Sequence, residues 1–458
     1  MDAISIIYIA FFLTGIACFA ILRPVQAVAI VYFAGLLFLP VSHYPAMQSH
    51  FAGTTALSPY WIITTALPSD ALISKAWIAS VAALTGALLF DGRSLLRFRP
   101  TLVDVPMLGW CLWPVVQTIF VDASPVGWQS SLYLTGVWAI PWFLGRAYYR
   151  DREGQCVLID ILIGLTLLLV PFALIEGMSG LRLYELLYGA HPFAAVGAER
   201  YIGYRPLMMF EDGNQYGLWM ASMAVLAIWR YRSTPVEGGK RTRVWPAIIL
   251  FLLAMASQSI GAIFLMLVGI AALYFSQFLR HLRKIAIPGL VLLLLGATVY
   301  VSGVIPLRSL AKETAVGQTA LSVLRTSGRS SLSWRISQDE KTIPVIRENL
   351  VAGSGQWDWW TELGRRPWGL PLLLAGQFGL IGLLLALGSP IAAILSRWFG
   401  QPEETSISEK EGATLPPTFA ISTVVIIAAT DALLNAFILL PALVLAASLV
   451  VRRKVSEN

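Results

Sequence analysis

Long apolar runs separated by brief polar punctuation recur along the whole chain. A run near 20 residues is long enough to cross a bilayer as an α-helix. The pattern predicts spans at 3–22, 25–41, 71–90, 103–121, 129–145, 156–175, 213–229, 244–258, 260–279, 285–302, 370–395, 417–431 and 436–451. The expected fold is therefore all-α: one integral membrane domain over 1–458, a polytopic transmembrane bundle of about twelve to thirteen spans. The first run, MDAISIIYIAFFLTGIACFAIL, lacks a basic n-region and an A-x-A site, so it reads as a retained span rather than a signal peptide. Three polar stretches break the rhythm. Two of them, 176–212 and 303–369, are longer than ordinary helix connections, which points to function. The third, QPEETSISEKEGATLPP at 401–417, has the polar composition of a flexible loop.

Composition agrees with this reading: 57% of the residues are hydrophobic and 13% charged, against about 25% charged in soluble domains. Lys and Arg concentrate in alternate connections, as cytoplasmic loops do. That alternation puts the N-terminus outside, the C-terminus and 401–417 in the cytoplasm, and the long loops 176–212 and 303–369 on the outer face. It also accounts for the net charge of +7 without a nucleic-acid partner. Cys18, Cys111 and Cys156 have no metal-site or redox-pair spacing, and neither a metal nor a cofactor is expected.

The outer loops hold the candidate chemistry, because basic residues there run against the insertion bias. Segment 303–369 carries nine basic and six acidic residues. Arginine presents a planar fork of donors suited to phosphate oxygens, so the group suits an anionic substrate; a solvated loop is the plainer alternative for any one residue. SSLSWRISQDEKTIPVIREN, 330–349, reads as an amphipathic helix interrupted or kinked at Pro344 and lying along the membrane surface. In AGSGQWDWW, Gly353 and Gly355 flex a turn that leads to Trp357 and Trp359, either interfacial anchors or platforms for sugar stacking. RPLMMFEDGNQYG, Arg205 to Gly217, closes the first outer loop and opens a span. Asp212 or Asn214 would cap that helix, and Arg205 requires an anion or carboxylate beside it. Glu211 is either that partner or a general base. His191, in YGAHPF, is the one outer-loop histidine near these groups.

An ordered set of motifs runs through residues 130–395. It comprises WAIPWFLGRAYYR (138–150), Arg205 with DGNQYG (212–217), ASQSIGAIFLMLVG (256–269), SWRISQDEKTIPVIRENLVAGSG (333–355) and LLLAGQFGLIGLLLAL (372–387). In order and spacing it resembles the O-antigen ligase and O-antigen polymerase family of bacterial membrane glycosyltransferases. The resemblance implies an inner-membrane enzyme that passes a glycan from undecaprenyl diphosphate to an acceptor hydroxyl at the periplasmic face, without a metal. Its partners would be that lipid-linked glycan, a glycan or lipid acceptor, membrane lipids and other polysaccharide-assembly proteins. Arg205 and Arg335 match the family's arginines and are the expected diphosphate ligands, with Arg347 next. Where the family's large loop ends in a His-Asn pair, this chain has Trp368 and Gly369, which leaves His191, Glu211, Asp339 or Glu340 to replace the histidine. The competing expectations are a transporter or flippase of an anionic lipid-linked glycan, marked by broken helices and mid-membrane charges, and a non-catalytic scaffold of an envelope assembly complex.

Overall fold

A computed structural model describes residues 3–40, 74–121, 127–189, 199–200, 202–210, 212–234, 240–275, 299, 313–326, 330–357, 359–360, 363, 367–400, 415–433, 435 and 441–450. Among them every regular element is a helix, and the expected span at 285–302 lies almost wholly outside them. In chain order the helices are α1 (Ala3–Ile21), α2 (Pro24–Phe38), α3 (Lys75–Leu96), α4 (Val105–Phe120), α5 (Gly127–Leu134), α6 (Ile140–Tyr148), α7 (Arg152–Leu167), α8 (Val170–Ser179) and α9 (Leu183–Tyr188). They continue as α10 (Gly213–Ser233), α11 (Lys240–Ala256), α12 (Ile260–Tyr274), α13 (Ala315–Thr326), α14 (Ser330–Glu348), α15 (Leu370–Gly400), α16 (Pro417–Ala432) and α17 (Pro441–Ser448). Five helical stretches are long and apolar enough to cross a membrane: Ala3–Ile21, Lys75–Leu96, Leu102–Phe120, Arg152–Ser179 and Leu370–Arg397.

The bundle is built around α10. Its residues from Gln215 to Ala227 are all buried, as expected of a helix that is apolar on every side. Helices α7, α11, α12 and α16 pack around it. The outermost helices turn large side chains outward, among them Ile6, Ile9 and Leu13 of α1 and Leu108, Leu112 and Ile119 of α4. Such a surface is stable where hydrocarbon rather than water solvates it.

Arginines at one end of the bundle are held by carboxylates. Arg146 pairs with Asp104 through two nitrogens, at 2.9 and 3.0 Å, and Trp142 donates to the same carboxylate. Asp160 receives both Arg230 and Arg243. The Gly-Arg end of WAIPWFLGRAYYR is thus a tie between helices.

Helix α15 is discontinuous. At Gly379 the backbone takes φ 69° and ψ −176°, and the residues before the break expose carbonyls that no helical turn satisfies. Segment 350–355 fills the gap: Ser354 N donates to Gly376 O and Gly355 N to Gln377 O, while Leu380 N donates to Leu350 O. Gln117 of α4 adds a bond to Gln377 O, and Trp113 one to Phe378 O. Gly353 and Gly355, expected to contact substrate, have positive φ because this docking requires it; a Cβ on Gly353 would lie 2.4 Å from Gln377 O. Trp357 and Trp359 are likewise buried, at 4% and 6% exposure, not open platforms. The Trp357 indole donates to Ser130 Oγ, and that of Trp359 lies over Gly376. These four residues clamp segment 350–359 onto the bundle.

The clamp predicts a specific sensitivity. Gly379→Ala would set a Cβ 2.1 Å from Val351 O at a left-handed φ, and should cost about 2 kcal/mol or more of stability. Gly164→Ala, whose Cβ meets nothing within 4 Å, should leave the melting temperature in detergent unchanged.

Candidate functional site

The head of α10 is where the polar residues of RPLMMFEDGNQYG gather. Asp212 is the N-cap: its side chain accepts from Asn214 N at 2.6 Å and Gln215 N at 2.9 Å, and its charge faces the positive end of the helix dipole. Arg205 crosses over this head. Its Nε donates to Ser257 O at 3.0 Å, and its two terminal nitrogens donate to Gln258 O at 3.2 Å and Asn214 Oδ1 at 3.4 Å. Gln258 has φ 50°, unusual for a residue other than glycine, and this local strain turns two successive carbonyls toward the guanidinium.

The glycines of the motif are spacers. A Cβ on Gly213 would lie 1.8 Å from Arg205 Cδ, and one on Gly217 would lie 2.5 Å from Ser259 Cβ. Without side chains at these positions, α10 seats Arg205 and the 257–259 turn against its first turn. ASQSIG therefore contributes backbone carbonyls to the same site.

Two side chains outside the motif fix the segment that carries Arg205. The buried carboxylate of Glu176, in α8, accepts from Leu183 N, Leu207 N and Met208 N at 2.8–2.9 Å. Lys75, buried at the start of α3, donates to Met209 O at 2.5 Å. Hydropathy marks Glu176 only as the edge of an apolar run and Lys75 as an isolated basic residue; neither reveals these distant partners. Helix α8 extends to Ser179, so the connection expected from 176 begins later.

Arg335 reaches the same site from α14. It donates to Asn435 Oδ1 at 2.6 Å, and its guanidinium lies 5.3 Å from the centre of the Trp368 ring. The charges are mutually felt. Burial is the main cause that draws the Arg205 guanidinium down to about 10, with Arg200 next; Asp212 opposes the shift and Arg335 adds to it. Burial also lowers Arg335, against support from Asp212, Asp431 and Asp339. At neutral pH Arg205 is still a cation. Two arginines 130 positions apart thus lie within electrostatic range of each other and share Asp212.

Other expected site residues separate from this pair. Arg347 is exposed in the last turn of α14, about 18 Å along the axis from Arg335 at ~1.5 Å per residue. It does not join the site. Asp339 is committed to the start of α15, where it accepts from Trp368 N and Gly369 N. Trp368 and Gly369, standing where a His-Asn pair was expected, supply a ring beneath Arg335 and two capped amides. Glu211 and His191 lie outside the described residues, and no metal-binding cluster of His, Cys, Asp and Glu occurs among those described.

Searches against protein-family models, curated proteins and solved structures find no match to this chain.

The seating of Arg205 depends on Glu176. Glu176→Ala should remove the acceptor of three buried N–H groups and cost about 3 kcal/mol. Hydrogen exchange should rise at 204–210 while α7 stays protected; unchanged exchange at 204–210 would exclude this support.

Proposed function

We propose that the chain is a polytopic membrane glycosyltransferase of O-antigen ligase or polymerase type. It carries a glycan from undecaprenyl diphosphate to an acceptor hydroxyl at the outer face of the bacterial inner membrane, with the N-terminus outside, the C-terminus inside and twelve to thirteen crossings. The observation that carries this reading is the convergence of Arg205 and Arg335 at the head of the central helix. Arg205 is held there by dipoles, two carbonyls and an amide, rather than by a paired carboxylate. Dipoles orient a guanidinium without taking it into a bidentate ion pair, so Arg205 stays a cation that an arriving anion can engage, with Asp212 as the carboxylate beside it.

A lipid diphosphate fits that demand. As the anomeric C–O bond breaks, negative charge grows on the leaving diphosphate, and fixed cations stabilise that charge more than they stabilise the bound substrate. Arg205 and Arg335 are the groups assigned to this task. Arg205 is set by two carbonyls of the 257–258 turn and the Asn214 side chain, and Arg335 is braced by Asn435 and Trp368, so neither has to reorganise during the reaction.

The transporter reading draws on the break in α15, since discontinuous helices commonly line transport sites. Here, however, the carbonyls of Gly376, Gln377 and Phe378 accept bonds from the protein itself. That leaves the break as a docking seam.

The test is reconstitution in liposomes with an undecaprenyl-diphosphate oligosaccharide and candidate acceptors. Wild type should release undecaprenyl diphosphate. Arg205→Ala and Arg335→Ala should each slow release by about 10²–10³-fold, and Arg347→Ala by less than about threefold. Translocation of the lipid by wild type without any release would replace this reading with the flippase.

A further inference from the structure

Asp431, in the last turn of α16, is 6% exposed, and its Oδ2 has no hydrogen-bond partner among the described residues. It is not isolated. Asn435 stands beside it: its backbone N donates to Asp431 O at 2.9 Å, and its side chain accepts Arg335 through Oδ1. Asn435 thus links the Arg335 guanidinium to the end of α16 that carries the carboxyl. The charged groups facing Asp431 are Arg335 of α14 and Asp212 at the head of α10. Helices α12 and α17, also packed on α16, carry no charged residue; α15 carries only Arg397, near its far end, and α7 carries Arg152, Glu153 and Asp160, the last paired with Arg230 near the opposite end of α10. A buried carboxyl with one unengaged oxygen is costly unless something uses it.

We propose that Asp431 is the general base of the transfer described above, on which this assignment rests. The acceptor oxygen forms a bond to the anomeric carbon, and its proton passes to Asp431 Oδ2. The bond from that carbon to the diphosphate oxygen breaks, and its electron pair leaves with the diphosphate held by Arg205 and Arg335. The products are the glycoside, lipid diphosphate and protonated Asp431, which returns its proton to solvent before the next turnover. Asn435 is a positioning residue that ties the base to the arginine on the leaving-group side. This supplies the group that a large loop without histidine lacks.

The test uses the full chain in liposomes, with an alcohol acceptor and a phenolic acceptor that ionises readily by itself. Asp431→Asn should lower turnover with the alcohol by about 10²-fold or more and with the phenol by less than about tenfold, with undecaprenyl diphosphate still bound. Equal losses with both acceptors would make Asp431 structural, and retention of the alcohol reaction within about threefold would exclude it as base. If Asp431→Asn does not fold, the pH–rate profile of wild type with the two acceptors decides: the acid limb should appear with the alcohol and flatten with the phenol, and the same limb with both overturns the assignment. Absence of lipid-diphosphate release by wild type would instead remove the transferase reading itself.

Discussion

The candidate site depends on one interaction, the grip of two backbone carbonyls on Arg205. A guanidinium at the head of an apolar helix bundle needs acceptors that cannot drift. Ser257 and Gln258 provide them because Gln258 adopts a left-handed conformation between α11 and α12. That turn can approach only because Gly217 offers no side chain, and Arg205 can cross the helix head only because Gly213 offers none. Asp212, Gly213, Asn214 and Gly217 thus do four separate jobs within a single turn and a half of helix.

The same side chain serves different ends at the two ends of α10, which lie about 30 Å apart at ~1.5 Å per residue. Near Ser233 the arginines meet carboxylates: Arg230 forms paired bonds of 2.9 and 2.8 Å with Asp160, and Arg243 shares that acid. Near Asp212 the partners of Arg205 and Arg335 are carbonyls, amides and an aromatic face. A bidentate ion pair satisfies both geometry and charge, so it closes a site. Dipolar partners satisfy geometry alone, so they leave a site with charge to offer. Partner class alone does not mark a ligand site, since Arg232 donates to Leu273 O and lies over Tyr274 near the Ser233 end; what sets Arg205 and Arg335 apart is that they share Asp212 at the head of α10.

The helical character of the chain was legible in its apolar runs, because membrane-length segments carry their signal locally. Asp212 as a cap was legible for the same reason: an acid just before an apolar run is a local feature. The pairing of Arg205 with Arg335 followed from motif order, though the elements that hold each arginine did not. Residues whose partners lie far away in sequence were read less well. Trp357 and Trp359 invite a ligand reading as members of an aromatic loop, but Ser130, Gly376 and Phe378 bury them. Glu176 and Asn435 gave no signal at all, since their roles exist only once α8 meets 207–208 and α16 meets α14. Asp431 ends an apolar run, and its burial shows only once α16 is packed in the bundle.

The discontinuity at Gly379 bears on how Arg335 is held. Helix α14 is fastened at two points along its length. Near its middle, Asp339 accepts the amides that open α15; beyond its end, 350–355 docks into the break farther along the same helix. A segment that leaves and rejoins the bundle would otherwise move relative to it, and a side chain on it would hold its place only part of the time. Fixing both points to α15 makes α14 an extension of the core, so Arg335 keeps its place beside Asp212 and Asn435. Catalytic preorganisation needs positions held to within about 0.5 Å, which loops alone rarely achieve. The break in α15 is therefore best understood as the means by which segment 330–355 becomes rigid enough to carry a site.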